Sequence, residues 1–315
     1  MITLKNLSKK QFIQASVASL GLIIFGLIFL YVFLPSFKED IHDLYYSAYY
    51  DFVIDPNLST VADKKANLSY CGTSDRMQKL DVYVPKNLDK AVPVVVYIHG
   101  GGWISGDKSN PFVTDYGAEI VKNGFAFVSI NYRLAPHFTY PAQNEDVNCA
   151  ISYLNTNAKA LNINTAQLAV MGDSAGGQLA SMAALTSPYK TQIKAVVDFY
   201  GPADIWAQVT RKPTPDKWAI NYLGTANNEN LARQASPMFA DLKGSPPFLI
   251  LHGQNDQTVY YAQSVNFEAK LKAAGVDATL VGVKNAGHYF TDKSQPSISS
   301  IESQMIVFLN KHLAN

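Results

Sequence analysis

The sequence predicts an α/β fold in which a mainly parallel β-sheet is covered by helices on both faces. From about residue 65 onward, short β-branched runs alternate with segments of helix length, as in consecutive βαβ units. The run VPVVVYI at 92–98 is apolar at nearly every position, which is typical of strands that are buried on both sides. No repeat or low-complexity tract interrupts this alternation.

Strands and helices follow from these patterns in chain order. The strands are expected at 80–84, 92–99, 126–131, 167–171, 195–200, 247–252 and 278–283. The helices are expected at 113–123, 144–155, 175–185, 259–274 and 298–312. The longest irregular stretch is rich in Pro, Asn and Trp. Because a structureless loop of this length is uncommon, we expect an insertion at about 202–246 whose short helices form a lid.

The composition excludes several classes of protein. Of the 315 residues, 48% are hydrophobic and 16% are charged, whereas a typical soluble domain has about 25% charged residues. The 26 basic and 25 acidic side chains nearly balance, and no basic stripe with interleaved aromatic residues is present. Neither a disordered chain nor a nucleic-acid-binding protein is therefore expected. Two cysteines are too few for a disulfide scaffold, and Cys71 and Cys149 form either one disulfide or two buried apolar positions.

Part of the apolar excess lies near the N-terminus. Residues 15–34 contain no charged residue and no proline, and at about 1.5 Å per helical residue they span about 30 Å, the thickness of a bilayer's hydrocarbon core. Lys5, Lys9 and Lys10 precede this run. We therefore expect a single spanning helix with the N-terminus in the cytoplasm and the remainder on the other side. The alternative is a secretory signal that is cleaved, which would release the protein.

These observations predict three regions along the chain. An N-terminal tip and membrane anchor occupies 1–37, a juxtamembrane linker or helix occupies 38–64, and one α/β domain occupies 65–315. The oligomeric state does not follow from the sequence.

A G-x-S-x-G motif, GDSAG at 172–176, lies between a predicted strand and a predicted helix. A tight turn at this place requires small neighbouring residues, and it lifts the hydroxyl of Ser174 out of the sheet at a helix N-terminus. A serine hydroxyl is a weak nucleophile that needs a base, and the base needs a group that orients it. Ser174 is thus the candidate nucleophile.

Two loops after later strands supply the candidate acid and base. The segment HGQNDQTV contains Asp256, and KNAGHYF contains His288. The order Ser, acid, His is that of sheets with this type of nucleophile turn. We expect His288 to accept the Ser174 proton and Asp256 to orient the imidazole. Asp198 and Asp204, which follow the preceding strand, are the alternative acids.

A run of glycines in HGGGW at 99–103 follows a buried strand. Acyl transfer develops an oxyanion near this edge of a sheet, and glycines let backbone amides approach it because no Cβ intervenes. The expected donors are the amides of Gly101, Gly102 and Ala175.

Large aromatic residues near these motifs are the candidate lining of a substrate pocket. They are Trp103, Trp206, Trp218 and Tyr222. No P-loop or dinucleotide-binding glycine motif opens a helix. The predicted chemistry requires neither a metal nor a cofactor.

At these motifs the sequence resembles the α/β-hydrolase superfamily, in particular the HGGG-type esterases of the hormone-sensitive-lipase-like and bacterial feruloyl-esterase-like branch. The resemblance runs from about residue 65 to residue 313, with HGGGWISGDK, NYRLAP, GDSAGG, HGQNDQTV and GH in the family's order. It implies an eight-stranded, mostly parallel sheet with a small helical lid, and a triad of Ser174, Asp256 and His288. It also implies mainly structural roles for His99, Trp103, Tyr132, Arg133 and Asp146.

The function that the resemblance implies is that of a serine carboxylesterase, which hydrolyses short-chain acyl or aryl esters through an acyl-enzyme. Small-molecule esters are then the expected substrates, and the membrane is the other expected partner. An amidase or deacetylase, or an arylformamidase, on the same triad remains an alternative, since fold-level analogy does not select the substrate. A non-catalytic binding protein on this scaffold is a further alternative, although such proteins typically lack one triad residue.

Overall fold

The computed structural model describes residues 58–87 and 90–313. These residues form a single sheet of eight strands and the helices that cover it. The strands are β1 Ala62–Ser69, β2 Lys79–Pro85, β3 Val92–Ile98, β4 Ala126–Ile130, β5 Ile163–Asp173, β6 Ile193–Phe199, β7 Phe248–Gly253 and β8 Ala278–Val283. Their order across the sheet is β1-β2-β4-β3-β5-β6-β7-β8. β2 is antiparallel to both of its neighbours, and the other neighbouring pairs are parallel. The chain therefore has the mostly parallel eight-stranded sheet that the resemblance implies.

Helices cover both faces of this sheet. They are α1 Leu58–Val61, α2 Ala118–Lys122, α3 Ala142–Leu161, α4 Ala175–Thr186, α5 Ile205–Val209, α6 Lys217–Leu223, α7 Glu229–Gln234, α8 Ala262–Ala273 and α9 Ile298–Leu313. Alternate residues of β3 belong to two separate apolar cores, with Val94 in one and Val95 in the other. The first core contains residues of α3, α4 and α8, and the second contains residues of α2 and α9. Burial on both faces explains why the central strands are apolar throughout.

The predicted strands are all present, with ends that differ by up to four residues, but β1 was not predicted. Its sequence, ADKKANLS, is mostly exposed and lacks an apolar alternation. It lies at the edge of the sheet and is held by its antiparallel pairing with β2, so backbone hydrogen bonds rather than side-chain burial define it. Because β1 begins at Ala62, the sheet starts inside the segment that the sequence predicts to be a juxtamembrane linker.

The helix expected at 113–123 has two parts. A π-helical turn, Val113–Gly117, precedes α2. Wider turns of this kind occur mostly as short bulges inside α-helices, and they are frequent at functional sites.

The insertion between β6 and β7 contains the short helices expected of a lid. These are α5, α6, α7 and a 3₁₀ turn at Pro237–Phe239. Asp204, Asp216 and Asn228 precede α5, α6 and α7, and each side chain accepts a hydrogen bond from an amide of the first turn. Such caps define helix starts in segments too short to be stabilised by length.

The spanning segment predicted at 15–34 lies outside the described residues. Within 58–87 and 90–313, no helix combines the length and the apolar character needed to cross a bilayer.

The two cysteines are joined in a disulfide between Cys71 and Cys149, with 5.6 Å between their Cα atoms. The bond links the segment between β1 and β2 to helix α3. Of the two roles left open by the sequence, the structure has the disulfide.

Candidate active site

Ser174 occupies the turn between β5 and α4, in a backbone conformation with φ 52° and ψ −119°. Positive φ is uncommon for a residue with a side chain and marks local strain. The turn is tight because glycines flank it: a Cβ added at Gly176 would overlap the carbonyl oxygen of Ile98 in β3. The small residues of GDSAG therefore let α4 start directly against the sheet, with Ser174 at its N-terminus.

Ser174, His288 and Asp256 form one hydrogen-bonded chain across three segments. His288 Nε2 lies 2.9 Å from Ser174 Oγ, and His288 Nδ1 lies 2.7 Å from Asp256 Oδ2. Asp256 follows β7 and His288 follows β8, so each comes from the carboxyl end of a parallel strand. Since an ionised carboxylate only accepts, Nδ1 carries the proton and Nε2 faces the serine as the acceptor. This is the arrangement that a serine nucleophile requires.

Asp256 is 2% exposed and accepts from more than one histidine. Burial acts to raise the pKa of Asp256, but hydrogen bonds from His252 and His288 and the amide of Thr258 hold it well below the ordinary value. The carboxyl is therefore ionised at neutral pH, and it can stabilise a positive charge on His288.

His252 is a second, fully buried partner of Asp256. Its Nε2 lies 3.1 Å from Asp256 Oδ2 and 2.9 Å from the carbonyl oxygen of Val259, and its Nδ1 lies 2.6 Å from Ser264 Oγ. Because both groups at Nε2 are acceptors, Nε2 is assigned the proton. Nδ1 is then an acceptor, and the hydroxyl of Ser264 donates to it. His252 thus holds Asp256 in place from the end of β7.

The alternative acids have other partners. Asp198 accepts from Ser181 Oγ at 3.1 Å and from the amide of Gly201 at 2.8 Å. Asp204 accepts from the amide of Ala207 at the start of α5. The structure brings Asp256, and neither of these two, to His288.

The glycine loop after β3 is held close to the nucleophile. Gly101 and Gly102 have φ of 114° and 60°, which favour glycine. A Cβ at Gly102 would meet Trp218 Cγ at 2.9 Å, so this position has no room for a side chain. Within the described part of the chain, the amides of Gly101, Gly102 and Ala175 donate to no acceptor. These are the three amides that the sequence predicts to bind an oxyanion.

Asp173, directly before Ser174, holds this loop in place, a role that the sequence motifs alone do not predict. Its Oδ1 accepts from the amide of Gly100 at 2.8 Å and from the hydroxyl of Tyr97 at 2.6 Å. Burial raises the pKa of Asp173, while these two hydrogen bonds act in the opposite direction. The signal was present in GDSAG itself, since an acidic residue in a tight buried turn needs partners.

The four predicted pocket residues have different surroundings. Trp103 and Tyr222 are 3% and 0% exposed and stack on each other with ring centroids 4.4 Å apart. Both rings are buried by this packing, and Trp103 Nε1 also donates to Gln178. That these two residues line a substrate pocket stays a prediction. Trp206 packs partly buried against the core. Trp218 is 48% exposed and lies over Gly102, beside the glycine loop.

The residues that the resemblance implies to be structural make structural contacts. The Tyr132 hydroxyl donates to the carbonyl of His99 at 2.9 Å, and the two rings stack. Arg133 pairs with the buried Asp146 at 2.8 Å. No cluster of three or more His, Cys, Asp and Glu side chains suited to a metal occurs in residues 58–87 and 90–313.

Comparison with known proteins is consistent with this geometry. Residues 80–271, more than half of the chain, match the family described as BD-FAE. This chain belongs to the BD-FAE family. A truncated carbohydrate esterase from gut microbiota is similar in structure to this BD-FAE protein, with a TM-score of 0.71, 27% sequence identity, and coverage of 81% of this chain and 98% of the other. The protein therefore has the α/β-hydrolase fold.

Curated relatives of this BD-FAE protein are named as esterases. Esterase LipC of Mycobacterium tuberculosis is 29% identical over 262 residues, which cover 75% of this chain and 63% of LipC. Carboxylesterase NlhH of the same species is 30% identical over 221 residues, which cover 63% of this chain and 66% of NlhH. The match thus spans less than two thirds of the length of LipC and about two thirds of that of NlhH.

Proposed function

We propose that this protein is a serine carboxylesterase that hydrolyses short-chain acyl or aryl esters through an acyl-enzyme. The observation that carries the proposal is the continuous hydrogen-bonded chain from Ser174 through His288 to Asp256. The esterase names of LipC and NlhH support the same reaction class. A complete chain of this kind is not needed by a non-catalytic binding protein.

In the proposed first step, His288 Nε2 accepts the proton of Ser174 while Oγ attacks the ester carbonyl. The negative charge that develops on the carbonyl oxygen is stabilised by the free amides of Gly101, Gly102 and Ala175. Asp256 stabilises the imidazolium of His288 without accepting its proton.

The second half of the reaction reverses these roles. His288 gives its proton to the leaving alcohol oxygen, which departs and leaves the acyl group on Ser174. A water molecule, deprotonated by His288, then attacks the acyl-enzyme, and the acid is released as Ser174 regains its proton.

The test is turnover of p-nitrophenyl acetate by the full chain and by Ser174→Ala. We expect a loss of kcat of at least about 10⁴-fold, since removal of a serine nucleophile disables the triad as a unit. Ser303→Ala, an exposed serine on α9, is the matched control and should retain activity. A Ser174→Ala protein with unchanged turnover, or failure of a fluorophosphonate to label the wild-type protein, would contradict the mechanism.

We further propose that residues 15–34 anchor the protein in a membrane and that the hydrolase domain lies on the non-cytoplasmic side. The uncharged apolar run and the preceding lysines support this orientation. The disulfide between Cys71 and Cys149 supports it independently, since disulfides persist mainly in oxidising compartments.

Alkaline carbonate extraction of membranes tests the anchor. The full chain should remain in the membrane pellet, whereas Ile24→Arg with Leu27→Arg, which places two charges in the apolar run, should shift it to the supernatant. Intact Met1 in the membrane-bound protein would separate an anchor from a cleaved signal. Extraction of the unmodified chain into the supernatant would refute the anchor.

A further inference from the structure

Gln178 is a fully buried side chain that links three segments around the candidate active site. It lies on α4, one turn after Ser174. Its Oε1 accepts a hydrogen bond from the indole Nε1 of Trp103 at 3.0 Å, and its Nε2 donates to the carbonyl oxygen of Ala235 at 2.7 Å. Because one partner is a donor and the other an acceptor, the orientation of the amide is fixed. The side chain therefore joins the helix of the nucleophile to the glycine loop and to the lid.

The glycine loop is held at both of its ends by the segment around the nucleophile. At the start of the loop, Asp173 Oδ1 accepts from the amide of Gly100 at 2.8 Å. At the end of the loop, Trp103 donates to Gln178. The two residues between these anchors are glycines, whose backbone conformation is the least restricted of all residues. The position of their amides therefore depends on the two hydrogen bonds.

The lid packs on the same end of the loop. Tyr222 of α6 stacks on Trp103 with ring centroids 4.4 Å apart, and Trp218 of the same helix lies over Gly102. Gln178 Nε2 also lies 3.4 Å from the hydroxyl oxygen of Tyr222, to which it donates. A change at Gln178 would therefore reach the lid and the loop together.

A link between the loop and α4 matters because the expected oxyanion donors come from both elements. The amides of Gly101 and Gly102 belong to the loop, and the amide of Ala175 is the first of α4. Donors stabilise an oxyanion best when they are held in place before the reaction. We propose that Gln178 is a positioning residue that holds the loop amides at a fixed place relative to the α4 amide. This inference rests on the proposed esterase function.

Gln178→Met removes both hydrogen bonds, since methionine fills a similar volume but has no amide. The indole N–H of Trp103 then lacks its buried acceptor, and we expect the glycine loop to move. With p-nitrophenyl acetate, kcat/KM should fall by about 10- to 100-fold, because a displacement of about 1 Å at a reacting group has an effect of this size. The inhibition constant of 1,1,1-trifluoroacetone should rise by a similar factor, since its adduct with Ser174 carries the same oxyanion. A role in folding alone would leave this inhibition constant unchanged.

Gln78→Met is the matched control. Gln78 is also buried, precedes β2, and donates to Asp146 at 2.7 Å. The variant loses a comparable hydrogen bond that does not involve the glycine loop. Its kcat/KM and its inhibition constant should therefore stay at the wild-type values.

Trp103→Phe removes the same hydrogen bond from the other side, and it keeps the test possible if Gln178→Met does not fold. Phenylalanine still offers a ring to Tyr222 but has no N–H. We expect its kcat/KM to fall as well, and the double variant to lose no more than about the larger of the two single losses. Losses that multiply in the double variant, or a Trp103→Phe protein with wild-type kcat/KM, would overturn the proposal.

An esterase whose kcat/KM and inhibition are unchanged by Gln178→Met would overturn the positioning role while upholding the proposed function. If the wild-type chain hydrolyses no ester, amide hydrogen exchange decides. Faster exchange in residues 99–106 for Gln178→Met than for Gln78→Met would support the hold of Gln178 on the loop, although the proposed function had failed. Equal exchange in the two variants would overturn it.

Discussion

Two buried carboxyl groups near the active site have pKa values displaced in opposite directions. Asp256 accepts hydrogen bonds from two histidines and from backbone amides, and its pKa is lowered although burial acts against this. Asp198 accepts from one amide and one serine hydroxyl; burial dominates and raises its pKa to about 6. The number and charge of the donors that reach each carboxyl decides the direction.

A group whose pKa differs between the folded and unfolded states makes the free energy of unfolding depend on pH, and the two opposite pKa shifts have opposite effects. A carboxyl with a lowered pKa stabilises the folded state above its unfolded pKa of about 4, and this contribution is lost as the pH falls. A carboxyl with a raised pKa holds its proton longer in the folded state. Its burial therefore destabilises the protein progressively as the pH rises from about 4 to about 6.

Asp198→Asn is expected to stabilise the protein above pH 6, by up to about 3 kcal/mol, because asparagine is never ionised. The gain over wild type should be smallest at pH 4, grow to pH 6 and then level off. Urea unfolding at several pH values measures it. Asp63→Asn, an exposed carboxyl on β1, should show no such growth, and a gain for Asp198→Asn that is independent of pH would contradict the argument.

Among the elements, the turn from β5 into α4 holds the candidate nucleophile Ser174 between glycines that lie in close contact with the surrounding backbone. Gly172 and Gly176 face each other across Ser174, and Gly176 also faces the backbone of β3. β3 is central in the sheet and hydrogen-bonded to a strand on each side. Its backbone therefore cannot move away from Gly176. The strained conformation of Ser174 is maintained because the packing around it leaves no alternative.

Gly176→Ala is expected to lower the free energy of unfolding by about 3 kcal/mol, since the new Cβ overlaps the carbonyl oxygen of Ile98. Denaturant unfolding measures this loss. Gly287→Ala is the control: a Cβ there meets nothing within 4 Å, and stability should change by less than about 1 kcal/mol. Equal effects at both positions would show that close packing at the turn is not the cause.

For the molecule as a whole, the disulfide connects the antiparallel edge of the sheet to the face covered by α3. Cys71 and Cys149 are 78 residues apart in sequence. Closing a loop of this length restricts the unfolded chain, which stabilises the folded state by about 2–4 kcal/mol.

The double variant Cys71→Ser with Cys149→Ser should therefore lose about 2–4 kcal/mol of unfolding free energy. Its turnover of p-nitrophenyl acetate should equal that of the wild type, because neither cysteine contacts Ser174, His288 or Asp256. Wild-type protein unfolded in the presence of a reductant is the matched comparison and should approach the variant. Identical unfolding of oxidised and reduced wild-type protein would show that the bond contributes nothing.

Features that depend on a local residue pattern could be predicted from the sequence, whereas features that depend on distant partners could not. Strands β3, β4 and β7 were predictable because burial on both faces favours apolar residues at most positions. In β2, β5, β6 and β8 a short β-branched or apolar run was enough, although some positions are polar or half-exposed. Strand β1 was not predictable, since an exposed edge strand is defined by its backbone partners, and ADKKANLS carries no burial pattern. The nucleophile turn was predictable because its glycines are required locally.

The sequence by itself determined the α/β alternation, the nucleophile turn, and the candidate acid and base in chain order. Only the tertiary structure decided that Asp256 rather than Asp198 reaches His288. It also decided that the rings of Trp103 and Tyr222 are stacked on each other, and that Asp173 holds the glycine loop in place. The reason is that backbone conformation and the periodicity of apolar residues depend on residues close in sequence, whereas contacts between side chains depend on how distant segments pack.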